Sequence, residues 1–455
     1  MGLGKTRTAM ERDRRFRVEN AVLQGYRKMT LIVAPKSVME DAWGDGYRKL
    51  IPKAKVILLD PKNRDAFVRA AQQGTHDIYV CHWESLRLMP ELRKVTWFHI
   101  IADEVHRAKN RKSKQTMALK SLTTYYKTGL SGTPADNRPD DLWSVLNWLY
   151  PYKYGSYWKF AKTYVESEKL ETAEGNSYTK ITGVNRAALP QLRAEMAPFY
   201  VRKLKSEVLT DLPDKLDPVV RYVDLTPAQR KSYNEMRGQM LTWINETRTQ
   251  KPNTPLAAPI ALSQLQRLQQ FATAHASVEY KKVWDPKANQ GKGEWVIKPF
   301  VTLIEPSSKL DAVMEILDDT DEPIVVFSQS RQIIELLGRR LSKANISHAL
   351  FTGGTSAAER GDIVRRFQSG DYRVFAGTIA AGGEGITLHR SSTVIFTDRA
   401  WSPAKNRQAE DRLHRIGQKN PVQVIDIVAR NTIDTKRNQD IQRKWEWLEM
   451  ILGDK

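Results

Sequence analysis

The sequence predicts an α/β protein with two parallel sheets, and three observations predict it. Short apolar runs alternate with polar stretches of helical spacing through residues 1–145. The same alternation resumes near Pro323. Such alternation implies parallel strands joined by crossover helices. Third, the chemically suggestive residues follow the apolar runs, at the carboxyl ends of strands, where open α/β sheets bind ligands.

The elements justify themselves in order. In 1–145, Leu31-Ile32-Val33-Ala34-Pro35 reads as a buried strand ended by proline, which cannot donate to a ladder. Lys55–Leu59, Asp77–Val80, Phe98–Ala102 and Tyr126–Leu130 complete the first set. Residues 146–215 are rich in aromatics and lysine, and the polar stretch Glu166–Asn185 breaks the period. They read as a helical insertion and an inter-lobe linker ending at Leu212-Pro213-Asp214-Lys215. Residues 216–300 read as the start of a second lobe with its own helical insertion. A long helix begins at Pro227, Leu262–Phe271 has helical spacing, and a polar loop lies near Asn289-Gln290-Gly291. The second lobe proper is 301–455, with strands at Pro323–Phe327, Val374–Ala376, Val394–Phe396 and Val422–Ile427, and an amphipathic helix over Arg437–Leu452.

Composition narrows the partners. At 455 residues the chain is too long for one ordinary core. Its 72 Lys+Arg against 52 Asp+Glu leave a net charge of +20, a surplus that suits a polyanion or a membrane surface. No stretch approaches the roughly 20 continuous apolar residues of a membrane span, so nucleic acid is favoured, with no membrane partner and an intracellular setting. Cys81 is the only cysteine, which excludes an internal disulfide and a cysteine zinc cluster. Cys81-His82 reads as a buried strand end rather than a metal pair.

Two motifs read as halves of one ATP site. Gly2-Leu3-Gly4-Lys5-Thr6 supplies a backbone able to approach phosphate, an ammonium for its β and γ oxygens and a hydroxyl for Mg²⁺. The full loop pattern extends upstream of Met1, so the strand that ordinarily feeds such a loop is expected to be missing. Asp103 and Glu104 follow the apolar run Phe98-His99-Ile100-Ile101, placed to hold the metal (Asp103, with Thr6) and to polarise an attacking water. Far downstream, Arg412 and Arg415 stand three apart and can reach one phosphate together. The plainer reading pairs them with Glu410 and Asp411.

Candidate nucleic-acid contacts also sit at strand ends. Lys36 and Ser37 follow the Leu31–Pro35 run and can donate to phosphate oxygens. Trp83, Ser85 and Lys109 are further candidates in the first lobe. In the second, Thr352-Gly353-Gly354 and Thr378 through Gly382-Gly383-Glu384-Gly385 offer backbone amides without side-chain obstruction. Trp401 could touch a sugar or base, or pack beneath the arginine segment. Trp143 and Trp148 read as core.

Taken together these pieces resemble the Swi/Snf-type ATPase family within the superfamily 2 helicases. The resemblance rests on Asp103-Glu104-Val105-His106 with Lys109-Asn110 behind it, on Leu130-Ser131-Gly132-Thr133-Pro134, on Asp141–Leu149, and on Arg202–Lys215. It rests further on Ser307-Ser308-Lys309-Leu310 and, most specifically, on Gln408 through Arg415-Ile416-Gly417-Gln418. It implies two RecA-like lobes with ATP and Mg²⁺ in the cleft between them. It also implies contributions to the nucleotide site from Gly383, Gly385 and Gln408, and a motor, expected to be monomeric, that moves along double-stranded DNA without separating it. A strand-separating superfamily 2 helicase is a second reading. It would need a wedge between Gly385 and Gln408, an interval nearly filled by a strand and a short loop. A third is a DNA-binding module without ATPase activity, because the loop pattern is incomplete at the start.

Overall fold

The structure, a computed structural model, describes residues 3–20, 27–134, 138–171, 177–249, 257–285, 293–382 and 385–453. The chain divides into two compact units. The first is Met1–Thr210 with Ser402–Ala404 and Gln442–Lys455, and the second is Asp211–Trp401 with Lys405–Ile441.

The first unit is built on five parallel strands. These are β1 (Thr30–Ala34), β2 (Val56–Leu58), β3 (Ile78–His82), β4 (Thr96–Asp103) and β5 (Thr123–Leu130), in the order β2-β3-β1-β4-β5. β1 lies between β3 and β4 and is buried along its whole length. That explains its unbroken apolar run, since a strand covered on both faces has no polar side to show. Leu31, Ile32 and Val33 are fully buried, each contributing on the order of 2 kcal/mol of apolar burial. Cys81 is buried on β3, and burial pushes its thiol up to about 12. Trp143 and Trp148 are core residues, as expected.

Within 146–215 the sequence reading missed a strand pair. β6 (Val165–Glu171) and β7 (Ser177–Val184) pair antiparallel, with an irregularity between Glu166 and Ser167. The exposed residues of β6 are Glu, Ser and Lys, so the ribbon has no apolar alternation to betray it. Gln442–Lys455 closes this unit: Leu448 and Ile451 pack with Leu142, Leu146, Leu189 and Leu192.

The second unit carries a six-stranded parallel sheet. Its strands are β8 (Val219–Val223), β11 (Ile324–Ser328), β12 (His348–Phe351), β13 (Val374–Thr378), β14 (Thr393–Phe396) and β15 (Gln423–Ala429), in the order β12-β13-β11-β14-β15-β8. Central β11 and β13 are wholly buried. The helices Pro227–Thr249 and Ala257–Thr273 lie where helical spacing was read. Between them and the sheet proper, β9 (His275–Asp285) and β10 (Glu294–Ile304) form an antiparallel ribbon that the sequence did not announce. The polar loop expected near Asn289–Gly291 lies outside the described residues.

Candidate nucleotide site and its relatives

Helix Lys5–Glu19 begins immediately after Gly4, whose φ of 73° places it in the left-handed region that suits glycine. No acid occupies the first turn, so the free amides and the positive end of the helix dipole face outward uncompensated. Lys5 stands at the first helical position, and its Nζ is buried without a hydrogen-bond partner. An ammonium held this way is poised for an anion. Leu3 and Thr6 are half-buried beside it, while Gly2 lies outside the described residues.

Asp103 ends β4 and is 7% exposed. Its Oδ2 accepts from Trp43 Nε1 at 3.1 Å and its Oδ1 from the Glu104 amide at 3.0 Å. Burial raises its pKa, and the neighbouring Glu104 charge adds to the rise; the Trp43 bond and the Lys5 charge oppose it. Lys5 and Asp103 are therefore electrostatic neighbours at the carboxyl end of β4. Glu104 adopts φ 51° and ψ 51°, a left-handed backbone that costs a side chain of this kind roughly 1–2 kcal/mol. Strain of this sort gathers at functional positions.

A polar relay runs on from Glu104. Its Oε2 lies 3.2 Å from His106 Nδ1, which is 3.1 Å from Ser131 Oγ. Ser131 Oγ donates to the Thr133 carbonyl at 2.8 Å and accepts from the Thr133 amide at 3.0 Å. The acidic segment and the Ser131-Gly132-Thr133 segment are thus hydrogen-bonded neighbours. Trp43, His106 and Ser131 were not among the site residues expected from sequence. His106 and Ser131 stood inside quoted motifs, but nothing marked Trp43.

Two expected nucleic-acid contacts, Trp83 and Ser85, are turned inward. Trp83 is fully buried, and its Nε1 donates to the Asp103 carbonyl at 2.7 Å, so it props the acidic strand from beneath. Ser85 is nearly buried and donates to the His82 carbonyl at 2.7 Å. Lys36 and Ser37 are exposed in the short helical turn after β1, and Lys109 is half-buried after the acidic segment.

In the second unit Gln408 is half-buried near the end of helix Pro403–Glu410. In the turn that follows, Arg412 and Arg415 converge on one backbone oxygen. Their Nη1 atoms donate to the Ile386 carbonyl at 3.4 and 3.0 Å, and Arg415 also donates to Thr387 Oγ1 at 2.9 Å. The Arg415 Nε is buried with no hydrogen-bond partner, and burial lowers this guanidinium's pKa. Glu410, an expected competitor, is engaged elsewhere. It pairs with Lys215 and with Arg399, and Arg399 also forks onto Asp426 at 2.5 and 2.9 Å.

The glycine-rich segments divide. Gly353 is exposed, with open space where a Cβ would stand, and Gly385 has a φ of 75°. Gly383 lies outside the described residues. Gly382 is glycine for packing, since a Cβ there would come within 2.4 Å of the Phe327 ring. Thr352 and Thr378 are nearly buried and bond locally, to the Gly354 and Ala381 amides. Trp401 is half-buried.

The family model for the SNF2-related domain matches residues 1–272, and that for the helicase conserved C-terminal domain matches 308–417. The class is that of helicase-like proteins built on these two domains. With more than half of its length under the first model, the chain belongs to the SNF2-related family, of Swi/Snf type.

Among its relatives, the transcription regulatory protein SNF2 of Saccharomyces cerevisiae is 28% identical over 95% of this chain and 25% of its own length. An uncharacterized ATP-dependent helicase of Mycoplasma pneumoniae is 29% identical over 99% of this chain and 39% of its own. The chain thus spans between a quarter and two-fifths of these relatives. A solved SWI2/SNF2 ATPase core of Sulfolobus solfataricus in complex with double-stranded DNA aligns over 99% of this chain and 91% of that one, at 25% identity and a TM-score of 0.41. Among the described residues, no helix is long and apolar enough to cross a membrane.

Proposed function

We propose that the chain is an ATP-driven translocase on double-stranded DNA, acting as a monomer. The observation that carries the ATP half is the buried, unpartnered Lys5 ammonium at a helix N-terminus, close enough to Asp103 to influence its ionisation. A site of that make is unsatisfied until an anion enters, and a polyphosphate meets both the ammonium and the free amides. Asp103 fits a metal-bearing polyphosphate. Each of its oxygens accepts one hydrogen bond and keeps a lone pair. Thr6 and Asp103 would hold Mg²⁺ through ATP, and that ion would supply charge neutralisation at the phosphates.

In this reading Lys5 binds the phosphates and Glu104 orients the attacking water, its carboxylate held by His106. Arg412 and Arg415 are the second unit's candidate guanidinium groups for a phosphate. The Ile386 carbonyl and Thr387 hydroxyl fix the Arg415 head in advance, which lowers the reorganisation needed in the reaction. Family membership and the charge of +20 support DNA as the track, with Lys36, Ser37, Lys109, Thr352 and Gly353 as phosphate contacts.

The test is ATP turnover measured with duplex DNA, single strands and RNA, beside triplex displacement and forked-duplex unwinding. Duplex-specific stimulation with triplex displacement and no strand release is expected. Equal stimulation by all three nucleic acids, or release of the forked strand, would overturn translocation on duplex. Absence of ATP turnover would overturn the motor.

A further inference from the structure

Helix Lys5–Glu19 docks on its sheet in an unusual way. Its buried residues are only Ala9, Met10 and Asp13, so an acid sits in the middle of the face that should be apolar. Asp13 is fully buried and accepts four side-chain hydrogen bonds. Thr30 Oγ1 (2.7 Å) and His99 Nδ1 (2.8 Å) donate to its Oδ1, and Arg17 Nε (2.8 Å) and Tyr47 OH (3.1 Å) to its Oδ2. His99, also fully buried, reaches Thr128 Oγ1 with its other nitrogen at 2.8 Å. Burial opposes ionisation of Asp13, but the His99 bond and the Arg17 charge hold its carboxyl down at about 2. An ionised Asp13 only accepts, so His99 Nδ1 carries the proton of the bond between them.

The placement of these residues matters more than their number. Asp13 lies eight residues beyond Lys5, about 12 Å down the helix. His99 precedes Asp103 on β4 by four residues, roughly 13 Å along the strand. Thr128, on β5, precedes Ser131 just beyond the strand's end by three residues, roughly 10 Å. Thr30 opens β1, the strand that leads to Lys36. One hydrogen-bonded chain therefore ties helix Lys5–Glu19 to β1, β4 and β5, roughly 10–13 Å below Lys5, Asp103 and Ser131.

We infer that Asp13, His99 and Thr128 are positioning residues: a polar crossbar that sets the register of the Lys5 helix against the strands bearing Asp103 and Ser131. Apolar packing would hold the helix to the sheet but allow it to slide. Directional bonds to one carboxylate fix both its rotation and its height. The inference rests on the ATP-site reading above, and its test separates the two.

The experiment compares wild type with the triple variant Asp13→Leu, Arg17→Met, His99→Leu, which replaces the acid, its Arg17 partner and His99 together by apolar groups. Such replacement often leaves stability near its starting value, so Tm should stay within about 5 °C. The kcat/KM for ATP should fall at least about tenfold, and the amides of residues 5–19 should exchange with deuterium about tenfold faster. His99→Asn, which keeps a donor toward Asp13, should lie between. A folded triple variant with turnover within about twofold of wild type and unchanged exchange overturns the crossbar and leaves a packing role.

Should the triple variant fail to fold, Thr128→Val cuts only the link to β5. It should lower kcat/KM about threefold or more, and no change there overturns the inference equally. If wild type itself shows no turnover, the ATP reading fails while hydrogen exchange over 5–19 still decides the crossbar.

Discussion

Replacing Lys5 by methionine should stop the enzyme without weakening the fold. The Lys5 Nζ is buried and has no hydrogen-bond partner, so the folded chain carries an unmet ammonium. An unsatisfied buried polar group costs about 1–3 kcal/mol, and methionine of similar length removes it. Against this stands the loss of attraction to Asp103, whose raised pKa the Lys5 charge partly restrains. That attraction offsets part of the gain, so the balance runs from near zero to about 2 kcal/mol in favour of the variant, which for a unit of this size is a Tm rise of up to about 6 °C.

Calorimetry with and without nucleotide reads both halves of the prediction. ATP or ADP at a hundredfold excess over Kd should stabilise wild type by about 2.7 kcal/mol and the variant by far less. Turnover should fall about a thousandfold or more. A Tm drop of more than about 3 °C would show that Lys5 is satisfied in the folded chain, and the argument for a waiting anion site would be wrong. Retained turnover would refute it from the other side.

Other expectations are simpler to check. Arg415→Ala should lower turnover about a thousandfold while duplex affinity, by fluorescence anisotropy, stays within about threefold; loss of DNA binding would reassign it to the track. Glu410 is held at about 2 because the Arg399 charge and then Lys215 override the burial that opposes ionisation. Its folded value lies below its ordinary 4.5, so its stabilisation is complete above that value and disappears as pH falls toward about 2. That stabilisation is on the order of 3 kcal/mol, and Glu410→Gln should flatten the acid limb of a urea-midpoint profile in the second unit. Gly382→Ala should destabilise the second unit by about 1–3 kcal/mol through the clash with Phe327, read as a lower urea midpoint. Cys81 should resist a thiol reagent in the native protein and react fully in denaturant.

The parallel sheets were legible because burial on both faces writes itself as apolar runs. β1, β4 and β11 each stand where such a run was read. What escaped was structure whose exposed residues are not periodic. β6 is almost wholly exposed and reads as polar chain, and the β9–β10 ribbon shows Tyr280, Trp284, Trp295 and Ile297 to solvent, which scrambles any inside-outside alternation. β8, at the sheet edge, is too weakly patterned to stand out.

The site divides in the same way. Lys5, Asp103, Glu104, Arg412 and Arg415 could be nominated from sequence because the proposed chemistry demands particular residue types at particular places. Trp83 misled because an indole after a strand looks alike whether it faces solvent or holds up a carbonyl. Asp13 and His99 were silent for a related reason. Their meaning lies in a contact spanning 86 residues of sequence, and a lone acid within a charged helix looks like any solvated face.

The left-handed backbone at Glu104 sets two kinds of selection against each other. Glycine or asparagine would sit there at ease, so a library screened for thermal endurance alone should accumulate them at this position. Each such winner would lack the carboxylate that faces His106. A screen for endurance would thus breed away from turnover at this residue, whereas one scored on ATP consumption should keep the acid and seek its robustness in distant parts of the chain.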